Sequence, residues 1–212
     1  MPRTTKAQQQ QNRVLLLQAA ERVFARRGVE GASLDDVAVD AGLTKGAVYS
    51  NFSGKGELIL EVIRHRQTSS QEAQDFSAVL LEATDDYARL EAWCEMWIRT
   101  QRSGERSSYS RLVFEFIPYA LRDEELTRRF LDLLGTGEAA QGASPIPSSS
   151  LFARIPHADQ MRILLALDMG LAALTLFDPE GVKPELYKTA VLSLARTLYE
   201  AGAGSDGVEP EG

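Results

Sequence analysis

The chain has 212 residues, 44% of them hydrophobic and 25% charged, enough to bury one large core or two smaller ones. Its net charge of −7 argues against wrapping nucleic acid with the whole surface, yet residues 1–66 carry ten Lys/Arg against seven Asp/Glu and the remainder is acidic, so an anionic partner is expected at one end only. The single cysteine, Cys94, excludes an intrachain disulfide, and the polar start MPRTTKAQQQQNR lacks the apolar run of a signal peptide, so a soluble cytoplasmic protein is expected.

Apolar periodicity is helical and no stretch shows the sustained alternation of β-strands, which predicts an all-α fold of about nine helices. The first helix is expected from Lys6 to Arg27, with Leu16, Ala20, Val23 and Phe24 on one face and Gly28 as its stop. Ser33 caps the second, with Asp35 and Asp36 in its first turn and Leu34, Val37, Ala38 and Ala41 inward. The chain turns at Gly42. Thr44 then caps a third helix that Val48 and Phe52 would anchor to the first two. A fourth runs from about Lys55 into the seventies, with Leu58, Ile59, Val62 and Ile63 inside. Longer helices follow over Asp85–Arg102, Glu105–Tyr119, Asp123–Leu134, Ala158–Phe177 and Pro184–Ala201. Pro118, having no N–H to donate, must end or kink its helix. Residues 142–150, GASPIPSSS, read as a loop, and the tail 203–212 as disordered. The apolar stretch Ile163 to Phe177 is interrupted by Asp168 and reads as too short to span a bilayer, so no membrane partner is expected.

Two short helices joined at Gly42, the second opening Thr44-Lys45-Gly46, have the size of a helix-turn-helix, which lays its second helix in the major groove. Thr44, Lys45, Tyr49, Ser50, Asn51 and Lys55 offer hydroxyl, amide and ammonium donors for phosphates and bases. Gly46 and Ala47 have almost no side chain, so the backbone can approach a duplex. Spacing alone fits a helical corner of a larger core equally well. The segments Ala19-Ala20-Glu21-Arg22-Val23-Phe24, Arg27-Gly28-Val29-Glu30-Gly31-Ala32-Ser33, Val37-Ala38, Ala41-Gly42-Leu43-Thr44-Lys45-Gly46-Ala47-Val48-Tyr49, Asn51-Phe52, Lys55 and Glu57-Leu58 decide between them. They resemble the DNA-binding domain of TetR-family regulators, over about residues 10–66.

The resemblance implies that Ser33, Tyr49 and Lys55 touch phosphates. It implies too that Thr44, Lys45, Gly46 and Ala47 face the groove, while Val48 and Phe52 stay in the core. Two positions depart from the family pattern. Asn51 stands where a histidine is common. Asp35 stands where many members carry a basic or hydroxyl residue; its carboxylate either points away, as a first-turn partner of the helix dipole, or accepts from a cytosine amine. Arg3, Lys6 and Arg13 read either as a phosphate-tracking arm or as an ordinary basic tail.

By the same resemblance, residues 1–58 form the DNA-binding domain, with the helix-turn-helix at 33–52, and residues 59–202 form a ligand-binding and dimerisation domain. A homodimer would pair through the last two long helices, at Leu164, Leu167, Leu171 and Leu174 on one and Val191, Leu194 and Leu198 on the other. A small effector would meet Trp93, Met96, Trp97, Phe114, Tyr119 and Met169, each of which also reads as core filler. No enzyme is expected, since His65 and His157 stand alone and neither a zinc-ligand spacing nor a GxSxG or GxxxxGK[ST] motif is present; no catalytic residue, metal or cofactor is assigned. The function expected is a sequence-specific transcriptional regulator, a repressor released from a palindromic operator by an apolar or aromatic effector. The rival is a protein-interaction module that has lost DNA reading, for which Asp35, Asp36 and Asp40 on the second helix are the best argument.

Overall fold

The computed structural model describes residues 6–69, 85–102, 105–137 and 155–203. Among these residues there are helices and no strand. In chain order they are α1 (Lys6–Gly31), α2 (Leu34–Asp40), α3 (Lys45–Tyr49), α4 (Lys55–Ser69), α5 (Asp86–Arg102), α6 (Glu105–Ala120), α7 (Glu124–Leu133), α8 (His157–Phe177) and α9 (Glu185–Ala203). The expected loop 142–150 lies outside the described residues, as does the tail after Ala203.

The chain divides into two compact units, one built from Met1–Ser70 and Ser108–Phe130, the other from Gln71–Ser107 and Leu131–Gly212. In the first unit α1 packs on α2 and α4, and α2 on α3. Leu16, Ala20, Val23 and Phe24 of α1 are buried with Val37, Ala38, Val48 and Phe52, and with Leu58, Ile59, Val62 and Ile63 of α4. The apolar stripe of each segment is thus its buried face. Segment 108–130 closes this core, with Phe116 buried edge-on to Phe130 at 5.1 Å. A Cβ at Gly56 would meet Leu126 Cδ2 at 2.7 Å, so the Leu126 side chain of α7 lies directly on the backbone of the first turn of α4. Pro118 sits inside α6, and the helix ends two residues later.

The regular part of α1 stops at Gly28, whose φ of 71° and ψ of 170° belong to a region open in practice only to glycine. A side chain there would also have to displace the Glu115 carboxylate, because a Cβ would lie 2.9 Å from Glu115 Oε2. That same oxygen accepts the Val29 N–H at 2.5 Å, satisfying a donor the helix break would otherwise orphan.

In the second unit α9 packs on α5 and α8. Its core joins Leu90, Cys94, Trp97 and Ile98 of α5, Leu164 and Leu171 of α8, and Tyr187, Val191 and Ala195 of α9. Tyr187 stacks on Trp97 at 4.3 Å between ring centroids, and its hydroxyl accepts the Trp93 indole N–H at 3.1 Å. The Trp97 indole N–H donates to Asp168, so the one charge in the apolar run of α8 has an internal partner. On the flank of α9, Lys188 bridges Glu91 at 2.7 Å and Glu95 at 2.5 Å, and both carboxylates hold its pKa above the ordinary lysine value.

Helix α8 corrects one expectation. It begins upstream of the purely apolar run, and its Asp159–Phe177 segment, 19 residues of mean hydropathy 1.5, is long and apolar enough to cross a membrane by length and composition. Its Leu164 and Leu171 nonetheless belong to the protein core just described, as in a core helix of a globular unit.

Gly28→Ala should lower unfolding free energy by about 1–3 kcal/mol, read by urea denaturation, because the new side chain meets both the backbone strain and Glu115; an unchanged midpoint would contradict that geometry. Burial pushes the Cys94 thiol up to about 12. A maleimide reagent at pH 8 should therefore leave Cys94 unmodified in the time that fully labels the urea-unfolded chain. Equal rates would mean that the side chain is not enclosed.

Candidate nucleic-acid interface

The segment 33–52 is built by two caps and a turn. The Ser33 hydroxyl accepts the Asp36 N–H at 3.1 Å while Asp36 accepts the Ser33 N–H at 2.9 Å, a reciprocal capping box at the start of α2. Gly42, with φ 65°, lets the chain reverse so that Leu43 N–H reaches the Ala38 carbonyl at 2.9 Å. Thr44 then caps α3, its hydroxyl oxygen accepting the Ala47 N–H at 3.2 Å. Val48 and Phe52 are fully enclosed, so the opposite side of α3 must face outward. That side carries Lys45, Gly46, Tyr49 and Ser50, with Thr44 exposed before it and Ala47 half-buried.

The expected DNA-facing residues do not all present free donors. Ser33 has its hydroxyl engaged in the capping box, donating to Asp36 at 2.5 Å. The Ser50 hydroxyl donates to the Ala47 carbonyl at 3.0 Å, and the Asn51 side-chain amide donates to the same oxygen at 2.7 Å. Lys55 lies half-buried, its ammonium donating to the Glu30 carbonyl at 3.3 Å and 5.9 Å from the centroid of the Tyr119 ring; desolvation lowers its pKa. The groups that project furthest are the Tyr49 ring, 60% exposed, and the Lys45 ammonium.

Charge on this face is arranged rather than accumulated. Asp36 pairs with Arg27 at 2.7 Å, and Asp40 with Arg22 at 2.7 Å and Arg26 at 2.5 Å. The hydrogen bonds from Ser33, with Arg27 adding to them, hold the Asp36 carboxyl below its usual range, and Arg26 and Arg22 do the same for Asp40. Two of the three carboxylates of α2 are thus answered by arginines of α1. Asp35 instead pairs with Lys45 of α3. Arg13, which the sequence offers either to a phosphate-tracking arm or to an ordinary basic tail, turns inward. Its guanidinium donates to the Asn51 carbonyl at 3.1 Å and to Glu61 at 2.5 Å, and lies 4.7 Å from the Phe52 ring centroid. Lys6 opens α1 with an exposed side chain, and Arg3 lies outside the described residues.

The aromatic and methionine residues expected around an effector fall in different units. Trp97 is core and Trp93 packs against that core, with Met96 and Met169 half-buried in the same unit; Phe114 and Tyr119 are half-buried in the N-terminal unit. Of the residues expected at a pairing surface, Leu164, Leu171 and Val191 are buried within the protomer, and Leu167 and Leu194 pack partly against the same core. Leu174 is open at 53% exposure, and the Leu198 side chain lies outside the described ones. The inward stripe of α9 is Tyr187, Val191 and Ala195, one residue out of register from the row Leu186, Ala190, Leu194 and Leu198. One step is about 100° on a helix, enough to turn Leu186 out to solvent. Sequence reading missed Tyr187, although its spacing of four from Val191 was visible. Val39, left off the inward stripe of α2 by the helical period, is 81% exposed.

With helices and no strand among the described residues, and a short, outward-facing second helix held in this way in its N-terminal unit, the protein has the arrangement of a helix-turn-helix protein. Residues 16–62 match the family model described as bacterial regulatory proteins, tetR family. Its N-terminal segment is thus similar to the DNA-binding domain of TetR-family regulators. It is 38% identical over 86 residues to the HTH-type transcriptional regulator TtgR of Pseudomonas putida, covering 41% of this chain and 39% of that protein. It is 37% identical over 70 residues to the HTH-type transcriptional repressor BepR of Brucella suis biovar 1, covering 33% of this chain and 34% of that one. The aligned segments therefore span well under half the length of these relatives. Among solved structures it resembles a transcriptional regulator from Rhodococcus sp. Rha1 with a TM-score of 0.61 and 25% identity, over 93% of this chain and 99% of that one.

Ser33→Ala should lower stability by about 1 kcal/mol in thermal unfolding without DNA, since the hydroxyl caps α2. No loss would leave the hydroxyl free for a phosphate instead.

Proposed function

We propose that this protein is a sequence-specific DNA-binding transcriptional regulator. It acts in the cytoplasm as a homodimeric repressor, released from a palindromic operator by a small apolar or aromatic effector. The observation that carries the proposal is the outward row Lys45, Gly46, Tyr49 and Ser50 on a helix held from behind by Val48 and Phe52. A side chain aimed at base edges needs a rigid support, and here the support is core. BepR, similar in this same region, is named a repressor.

A single head reads only a few base pairs, so a dimer spanning two half-sites follows. Support for pairing through α8 and α9 comes from apolar side chains left open, Leu174, Phe177 and Leu186. Only 22% of the apolar segment of α8 is buried within the protomer, and exposed apolar area of this kind marks association surfaces. In this proposal residues 1–58 read DNA while 59–202 pair and take the effector. The effector would prefer the spacing of the two heads that does not fit the operator. No catalytic role is assigned. The rival, an interaction module, loses part of its support because Asp36 and Asp40 are neutralised by arginines of the same chain.

Selection from a random duplex pool with the full-length protein should enrich a near-palindrome with half-sites about one helical turn apart. Tyr49→Ala should then weaken binding to that site by about tenfold or more, the loss expected for one hydrogen bond to a charged phosphate. Absence of any enriched sequence would favour the interaction module.

A further inference from the structure

The three carboxylates of α2 have different partners. Asp36 and Asp40 pair with arginines on α1. Asp35 alone faces α3, where its Oδ2 takes the Lys45 ammonium, and its Oδ1 meets no partner among the described residues. Both side chains are exposed, at 49% for Asp35 and 68% for Lys45, so the pair contributes little to stability. Its consequence is placement. A Lys45 without this partner would serve any phosphate within reach; paired with Asp35, it becomes half of a net-neutral donor–acceptor unit crossing from α2 to α3.

We propose that Asp35 and Lys45 act together as a specificity determinant that reads one G·C base pair in each half-site, the ammonium on guanine and the carboxylate on cytosine. The proposal rests on the DNA-reading function above. In the major groove guanine presents two adjacent acceptors, O6 and N7, and its cytosine presents the N4 amine as donor beside them. An ammonium next to a carboxylate with one unused oxygen complements that order. On an A·T pair the adenine amine lies between the two acceptors, so the ammonium finds only one acceptor at a time. Reach is provided for as well. Asp35 is short and stands on α2, so the pair must come close to the groove floor. Gly46, the next residue after Lys45, allows this, since a Cβ there would have only the chain's own Thr44 hydroxyl oxygen nearby, at 3.8 Å.

This role differs from a phosphate contact in its signature. Removing a phosphate-binding lysine weakens binding to every sequence alike and flattens the salt dependence by about one counterion. Removing Asp35 should do the reverse. It deletes a negative charge near the duplex and frees Lys45 for a phosphate, so general affinity should hold or rise with a steeper salt slope while discrimination at one position collapses.

The test is duplex selection and salt titration with full-length wild type, Asp35→Ala, Asp35→Asn, Lys45→Ala and the double variant, with thermal unfolding confirming that each is folded. Wild type should require a G·C pair at one position per half-site. Asp35→Ala and Lys45→Ala should each relax the preference at that same position by about tenfold, and the double variant should relax it no further, as coupled residues do. Asp35→Asn, an isostere with less risk to folding, should relax it as well. A wild-type preference retained in both Asp35 variants, a preference for A·T at that position, or relaxation at different positions in the two single variants would overturn the proposal. Failure of wild type to enrich any sequence would overturn the DNA-reading function itself.

Discussion

A helix of five residues cannot hold itself together in water, because nucleation uses more conformational freedom than so few hydrogen bonds return. Helix α3 therefore exists only as far as its surroundings impose it, and the candidate interface depends on that imposition. Thr44 closes its start, and Val48 and Phe52 sink into the core of α1, α2 and α4. Arg13 completes the support from the other end. One guanidinium binds the Asn51 carbonyl just beyond α3, the Glu61 carboxylate on α4 and the face of Phe52. The direction of Lys45 and Tyr49 is thus set by residues that never face outward.

The second constraint is electrostatic. A positively charged N-terminal third suggests a surface open to any polyanion, but most of its arginines are committed internally: Arg13 to Glu61, Arg22 and Arg26 to Asp40, Arg27 to Asp36. Exposed pairs of this kind are individually weak, and a phosphate backbone competes for them. What they do is narrow the set of groups left pointing away from the molecule. Under the proposed function, such an arrangement suits choosing among sequences better than holding DNA of any sequence.

In the second unit the burial of one tyrosine organises what α5 and α9 present. Tyr187 stacks on Trp97 and takes the Trp93 N–H, which rotates α9 so that Val191 and Ala195 also go inside. The rotation sends Leu186 outward, while Leu174 and Phe177 of α8 remain open. The apolar residues available to a second copy of the chain are therefore fewer than the sequence suggests. Leu164, Leu171 and Val191 have already been used to build the protomer.

The sequence by itself determined the helix boundaries, the caps and the turns, because these rest on local chemistry. Ser33 and Thr44 satisfy backbone donors a few residues away, and Gly28 and Gly42 supply the positive φ that the chain needs where it breaks and turns. It also determined Val48 and Phe52 as anchors, since a spacing of four on a short helix leaves one inward face. Tertiary structure alone decided where the charges go and which of two neighbouring stripes is buried. Arg13 and Glu61 meet across 48 positions, Val29 and Glu115 across 86, and Trp93 and Tyr187 across 94. No local pattern encodes such partners. On α9, where Leu186, Ala190 and Leu194 run beside Tyr187, Val191 and Ala195, stripes 100° apart look alike until a neighbouring helix fills one of them.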